Sequence, residues 1–401
     1  MCLCGNWNKH CAPQPMKVVK RFGVLFLFGA VILLLIPACE STYLGRWVAW
    51  NFSDIEDYKK FPYREVSNAS PVFNFAVAAA PKVNTVSYQY KGKDYKKPIA
   101  DFIDQTGTTA FIIIKNDTIL FEGYGNGYTR SSINTSFSIA KSITSMLVGI
   151  AIDEGAINST NDPITMYIPE LLESDEQIKE VSLANLLMMQ SGFYYRDHDL
   201  VWGDKPKNYY HPCLRSRTLK VKMDEPPGER WQYMGYNPIL CGIILERVTG
   251  GSVSNYFENK IWSGLGMEFP ASWSIDSEEG QMEKMESGVN GRAIDFAKLG
   301  RLMLLDGNWE GKQIISKAWV KECTSLEGSI KAWDGVHYKN FWWIYPANEK
   351  HPVSYAATGH LGQFIFVSPS EQTIIVRFGK DMGKVDSWIK IFRHMATQVA
   401  R

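Results

Sequence analysis

The sequence predicts an α+β protein: an antiparallel sheet flanked by helices, with a mainly helical second lobe. Three observations carry this. Runs rich in β-branched and aromatic residues occur early, in "TAFIIIKNDTILFEGYG" from Thr109, and late, in "GQFIFVSPSEQTIIVRFG" from Gly362. Between them the pattern is helical and loop-rich. Regular strand–helix alternation is missing, which disfavours a parallel doubly wound sheet. The two ends of the chain are therefore expected to share one sheet, with a cleft where it meets the helical lobe.

The elements follow in chain order. Residues 1–39 read as a signal peptide or membrane anchor. Lys17, Lys20 and Arg21 precede an apolar run from Phe22 to Ile36, the arrangement of an export signal. The run is short for a membrane span. It ends in Ile36-Pro37-Ala38-Cys39, which resembles a bacterial lipoprotein box with an unusual proline. The expectation is an exported protein facing the periplasm or exterior, held to the membrane by lipidated Cys39 or by an uncleaved anchor, with simple secretion as the remaining alternative. The fifteen residues before Met16 do not suit a signal peptide. Residues 40–85 are aromatic and punctuated by proline, and read as a tether or N-terminal extension packed on the body. Residues 86–401 read as the main domain. Its first hairpin turns at Asn116-Asp117. A helix follows, with Ile143, Met146, Leu147, Ile150 and Ala151 on one stripe and Gly155 as its stop. Residues 160–320 read as short helices and loops, and a last helix begins near Ser387.

Composition narrows the function. The 401 residues are 45% hydrophobic, and 43 basic against 42 acidic residues leave a formal charge of +1, so nothing asks for nucleic acid. Cys213, Cys241 and Cys323 are scattered, without disulfide-framework or metal spacing. The Asp197–Asp199 run lacks the histidine partners a metal site needs and reads as a solvated loop. No Gly-x-Ser-x-Gly elbow occurs.

The chemistry centres on "SFSIAKSITSML". Ser138 and Lys141 are neighbours on one helix surface, turned away from the apolar stripe. On an exposed helix that is an ordinary solvated face. Under a second lobe, a hydroxyl and its base lie in a cleft. A lone Ser-x-x-Lys is weak, and Ser387-x-x-Lys390 is a second, chance occurrence. What sets Ser138 apart is its company: Tyr233 in "PGERWQYMGYNPILCGIILERVTGG" and His360-x-Gly362 in "ATGHLGQFIFV".

This ordered trio resembles the serine β-lactamase and penicillin-recognising hydrolase superfamily over roughly residues 105–400. The branch it is most similar to is the 6-aminohexanoate-dimer hydrolases and related esterases, which share Trp342-Trp343 and the Gly-Gln feature. The resemblance implies a β-lactamase/transpeptidase-like fold and catalysis by Ser138, Lys141 and Tyr233. Burial disfavours a charged ammonium, so Lys141 is expected to accept the Ser138 proton directly or relay it to Tyr233. The resemblance further implies an oxyanion hole from the backbone N–H groups of Ser138 and Gln363, with Gly362 letting an edge strand approach the substrate, and His360 and Tyr195 lining the site. Where relatives carry Tyr-x-Asn, this chain has Tyr233-Met-Gly235, and Asn237 is the candidate substitute for the lost amide. Where relatives carry Lys-Thr-Gly, it has His360-Leu-Gly362. Both departures point away from anionic β-lactams. The expected function is a serine hydrolase cleaving small esters or amides through an acyl-enzyme on Ser138, with no metal or organic cofactor. The competing readings are a β-lactamase or D-Ala-D-Ala carboxypeptidase, and an inactive binding or sensor protein.

Overall fold

The computed structural model describes residues 42–50, 52–80 and 82–399. The chain divides into two units, Met1–Asn51 and Phe52–Arg401. The first contributes one described helix, α1 (Tyr43–Trp50). The export signal and Cys39 lie outside the described residues. Among the described residues, no helix is long and apolar enough to cross a membrane.

The second unit begins with β1 (Tyr63–Val66), β2 (Ala76–Val77) and a hairpin of β3 (Thr85–Tyr90) and β4 (Lys93–Pro98). Helix α2 (Ile99–Gln105), strands β5 (Thr108–Lys115), β6 (Thr118–Tyr124) and β7 (Asn134–Thr135), and helix α3 (Ile139–Asp153) follow. A helical stretch contains α4 (Asp204–Tyr210) and α5 (Tyr236–Thr249). Then come β8 (Ala271–Ser274), β9 (Val289–Gly291) and α6 (Ala293–Leu304). The chain closes with β10 (Ile330–Trp333), β11 (Val336–Lys339), β12 (Trp342–Tyr345), β13 (Ser354–Gly359), β14 (Gln363–Ser368), β15 (Thr373–Gly379) and α7 (Trp388–Val399).

The main sheet has nine strands in the order β10-β11-β12-β13-β14-β15-β5-β6-β2. Pairing of β15 with β5, from Thr373↔Lys115 to Phe378↔Ala110, joins the end of the chain to its beginning, as the two strand-rich runs require. Asn116 and Asp117 both take left-handed φ values, +47° and +56°, which is the geometry of a tight hairpin turn. Strand β14 shows how the sheet is covered. Phe364 and Phe366 meet Phe392 of α7 at 5.3 and 5.6 Å between ring centroids. Ile365, on the opposite face, lies against Gly300 of α6. A Cβ at Gly300 would come within 2.8 Å of Ile374 and 2.9 Å of Ile365, so the glycine sets how closely α6 approaches the sheet.

Two features differ from the sequence reading. A second sheet, β1-β8-β9-β7, links residues 63–66 to the centre of the molecule. Its strands are at most four residues long, too short for a period-two signal. Segment 40–85, read as a tether, thus includes β1 of this sheet and β2 at the edge of the main one. His360-Leu361-Gly362 form the turn between β13 and β14, two interior strands, and do not head an edge strand.

Candidate active site

Helix α3 is buried at every position from Ile139 to Ala151. It is a central helix, and that settles which environment the Ser–Lys face has. Ser138 is its N-cap, half-buried, and follows Phe137, whose φ is +49°. A left-handed backbone is unfavourable for an aromatic residue, and packing holds it there. The Phe137 ring is 2% exposed, 6.3 Å from the Tyr209 ring and edge-on to His360 at 5.5 Å. The bend at Phe137 leaves the Ser138 N–H without an acceptor among the described residues.

Lys141 lies one turn further on and is 4% exposed. Its Nζ is 2.9 Å from Ser138 Oγ and donates to the Glu286 carbonyl at 2.9 Å. Segment 283–288 between β8 and β9 therefore borders Lys141, and Ser136 N–H donating to Val289 O at 2.9 Å ties the strand that follows it to the backbone leading into Ser138. Tyr233 comes from the loop before α5, which is tied down where Gln232 N–H donates to Met189 O. Lys141 Nζ stands 4.9 Å from the centre of the Tyr233 ring. The hydroxyl and amine of one helical turn and a phenol ring from a distant segment thus share one locus. On its other side Tyr233 packs on Trp343 at 5.6 Å and Tyr338 at 6.0 Å, an aromatic wall that continues to Trp231 and Trp333.

The β13–β14 turn forms the facing side. A Cβ at Gly359 would lie 2.2 Å from Ser136 O, so this turn abuts the backbone leading into Ser138. The His360 N–H has no acceptor among the described residues. Burial, then repulsion from Lys205, pushes the His360 imidazole below its ordinary range. Gln363 is fully buried, and its side chain does structural work: Nε2 donates to His360 O and Gly379 O, and Oε1 accepts from the Gly379 N–H. Gly362 has φ +82°, and a Cβ there would sit 2.1 Å from Arg377 Nη1. Its smallness makes room for that arginine. Arg377 is fully buried and donates to the carbonyls of Leu361, Gly362, Thr106 and Asp381 and to Thr108 Oγ1. It staples the turn to the sheet, and burial lowers its pKa to about 9.

Two further expected residues adjoin the Tyr233 loop: the Tyr195 carbonyl accepts from Gln232 Nε2 at 3.3 Å, and Asn237 lies in α5. Tyr195 points inward, edge-on to Tyr236 at 5.6 Å with its phenol pKa raised by burial, whereas Tyr194 is exposed. Asn237 is fully buried in α5. Its Oδ1 accepts from Ser191 Oγ at 2.7 Å and its Nδ2 faces Met189 Sδ, so it offers no free amide to a ligand. Sequence reasoning missed Glu286, which acts through a backbone carbonyl and leaves no residue-type signal. It also missed Arg377, whose signal was present as a charge inside the apolar run "TIIVRFG".

The beta-lactamase family model matches residues 98–399. The chain belongs to the beta-lactamase family. Among curated relatives, the 6-aminohexanoate-dimer hydrolase of Paenarthrobacter ureafaciens is 27% identical over 371 residues, covering 88% of each chain. Among solved structures, a Bacillus anthracis protein that provisionally carries the same name is 23% identical, covers 88% of this chain and 94% of its own, and has a TM-score of 0.75. A family VIII carboxylesterase is 18% identical, covers 76% of this chain and 94% of its own, and has a TM-score of 0.58. The fold is therefore the β-lactamase/transpeptidase fold expected from the sequence, and the relatives are hydrolases.

Proposed function

We propose that this beta-lactamase-family protein is a serine hydrolase that cleaves small esters or amides through an acyl-enzyme on Ser138. The observation that carries the reading is the 2.9 Å contact between Lys141 Nζ and Ser138 Oγ inside a buried face. Ser138 Oγ attacks the substrate carbonyl while its proton passes to Lys141. The proton moves on to Tyr233, whose hydroxyl delivers it to the departing alcohol or amine as the carbonyl–heteroatom bond breaks. Water then attacks the acyl-serine and gives up a proton through the same groups, releasing the acid and restoring Ser138.

The oxyanion of each tetrahedral intermediate needs two fixed donors. The Ser138 N–H supplies one. The second comes from the β13–β14 turn, either from the Gln363 N–H or from the His360 N–H, which has no acceptor among the described residues. A neutral imidazole in place of a fixed ammonium favours neutral substrates over carboxylate-bearing β-lactams. The basic and apolar N-terminal run supports a location outside the cytoplasm.

The test uses the full chain beside a Ser138→Ala variant, with a fluorophosphonate, a fluorescent penicillin and a chromogenic short-chain ester. The expected result is fluorophosphonate labelling and ester turnover that both vanish in the variant. Penicillin labelling stronger than ester turnover would replace this reading with a penicillin-recognising one. Absence of labelling by all three would make the protein a binding member of the family.

A further inference from the structure

The turn that holds Lys141 is itself built around a buried lysine. Lys284 is 1% exposed. Its N–H donates to Ser274 O at the end of β8, and its carbonyl accepts from the N–H groups of Ser287 at 3.0 Å and Gly288 at 2.7 Å. Folding back in this way places the Glu286 carbonyl on Lys141 Nζ. The Lys284 side chain anchors the turn to its surroundings. Its Nζ donates to the carbonyl of Tyr209 in α4 and lies 3.5 Å from Glu286 Oε1. It also stands 4.2 Å from the ring centre of Tyr209 and 4.3 Å from that of Phe61. Tyr209 reaches the nucleophile as well. Its ring stacks on Phe137, whose left-handed backbone precedes Ser138, and its hydroxyl donates to Asp57 at 2.5 Å. Asp57 and Phe61 belong to residues 52–62, which precede the region matched by the family model. That segment is tied to β7, where Tyr58 N–H donates to Thr135 Oγ1 and Ile55 O accepts from the Thr135 N–H.

Burying an ammonium is costly unless it is paired and oriented. A methionine would fill the slot between two rings without that cost, so packing alone does not account for a lysine at 284. What the lysine adds is direction: a hydrogen bond and a charge fix where the turn sits against α4. The nucleophile and the base are thereby registered to one residue. Tyr209 bears on Ser138 through Phe137, and on Lys141 through Lys284 and the Glu286 carbonyl. We propose that Lys284 is a positioning residue that holds Lys141 Nζ in line with Ser138 Oγ, with Phe61 of the N-terminal segment as part of its clamp, an inference that rests on the serine-hydrolase reading above. It acts through the turn and not on the substrate. Displacing a reacting group by about 1 Å costs about 10²-fold in rate.

The experiment uses the full chain and compares Lys284→Met with the parent and with Lys298→Met. Lys298 is also fully buried and also donates to a carbonyl, Gly266 O, with Asp295 beside it, but none of these partners holds Lys141. The end point of fluorophosphonate labelling counts competent sites. The labelling rate per competent site, with kcat and KM for a chromogenic short-chain ester, reports their geometry, and a thermal melt reports stability. Lys284→Met is expected to lose about 10- to 100-fold in kcat and in labelling rate per competent site, with KM changed less than about threefold. Lys298→Met is expected to melt lower while keeping kcat per competent site within about threefold of the parent. Rates for Lys284→Met within about tenfold of the parent, a loss confined to KM or to melting temperature, or an equal kcat loss in Lys298→Met would show a structural role and overturn the proposal. If Lys284→Met does not fold, Phe61→Leu decides: it keeps the lysine and removes one ring of its clamp, so kcat should fall about 3- to 10-fold with KM held, and an unchanged kcat overturns the proposal. Equal labelling of the parent and Ser138→Ala, or none of either, marks failure of the serine reading itself and takes this proposal with it.

Discussion

Replacing Lys141 by Met tests the proposed chemistry most directly. Met matches the length of the lysine stem and suits a buried position, so the substitution opens little cavity. It removes two contacts: the one to Ser138 Oγ at 2.9 Å and the one to the Glu286 carbonyl at 2.9 Å. Leaving that carbonyl unpaired costs about 1–3 kcal/mol, which for a body of this size lowers the melting temperature by about 1–4 °C. The catalytic loss is of another order. A positioned base contributes about 10²–10⁴-fold, or about 3–5 kcal/mol of barrier. The assay is kcat/KM for a chromogenic short-chain ester, with Ser138→Ala as the floor, beside the rate of fluorophosphonate labelling and a thermal melt. Lys141→Met is expected to fold, to melt a few degrees lower and to approach the Ser138→Ala floor in both rates. A folded variant within tenfold of the parent would refute the assignment of Lys141 as the base.

Other predictions bear on the facing turn. His360→Pro removes one candidate for the second oxyanion N–H and is expected to lower kcat about 10²–10³-fold if that group is the donor, whereas His360→Ala keeps the N–H and stays within about tenfold; equal effects from the two would point to the imidazole instead. Gly362→Ala places a methyl 2.1 Å from Arg377 Nη1 at a φ of +82°, and is expected to cost about 2–4 kcal/mol in urea unfolding; a loss below about 0.5 kcal/mol would show that the arginine yields easily. Burial holds the His360 pKa below its ordinary range, so between the folded value and about 6.5 the unfolded chain binds more protons. Its contribution to stability is complete above that window and is lost as pH falls through it. His360→Gln should therefore flatten the decline of urea midpoint between pH 7 and pH 5 relative to the parent, and parallel curves for the two proteins would contradict this.

Particular residues show how much was legible and why the rest was not. The strand runs 109–125 and 362–379 are long and strongly apolar, and their pairing in one sheet follows because each has a face to bury and no other partner of that length. Helix 139–153 was legible from its 3.6-residue stripe. The second sheet was not, because four strands of two to four residues carry no periodic signal. The surroundings of Gly362 and Asn237 were not legible for one reason: a motif aligned by residue type does not reveal what packs behind it. Arg377 lies behind the first, and Ser191 and Met189 occupy the amide of the second.

The sequence by itself determined the fold class, the helix and an ordered set of a hydroxyl, an amine and a phenol, because local periodicity and ordered motifs are written along the chain. Only the tertiary structure decided that the Ser138–Lys141 face is covered, that the Tyr233 ring lies beside Lys141, and that Glu286 and Arg377 hold the segments around it. Each of those facts depends on contacts between segments tens to hundreds of residues apart. Burial, which distinguishes this pair from an ordinary solvated helix face, is a property of the packed molecule and of no single segment.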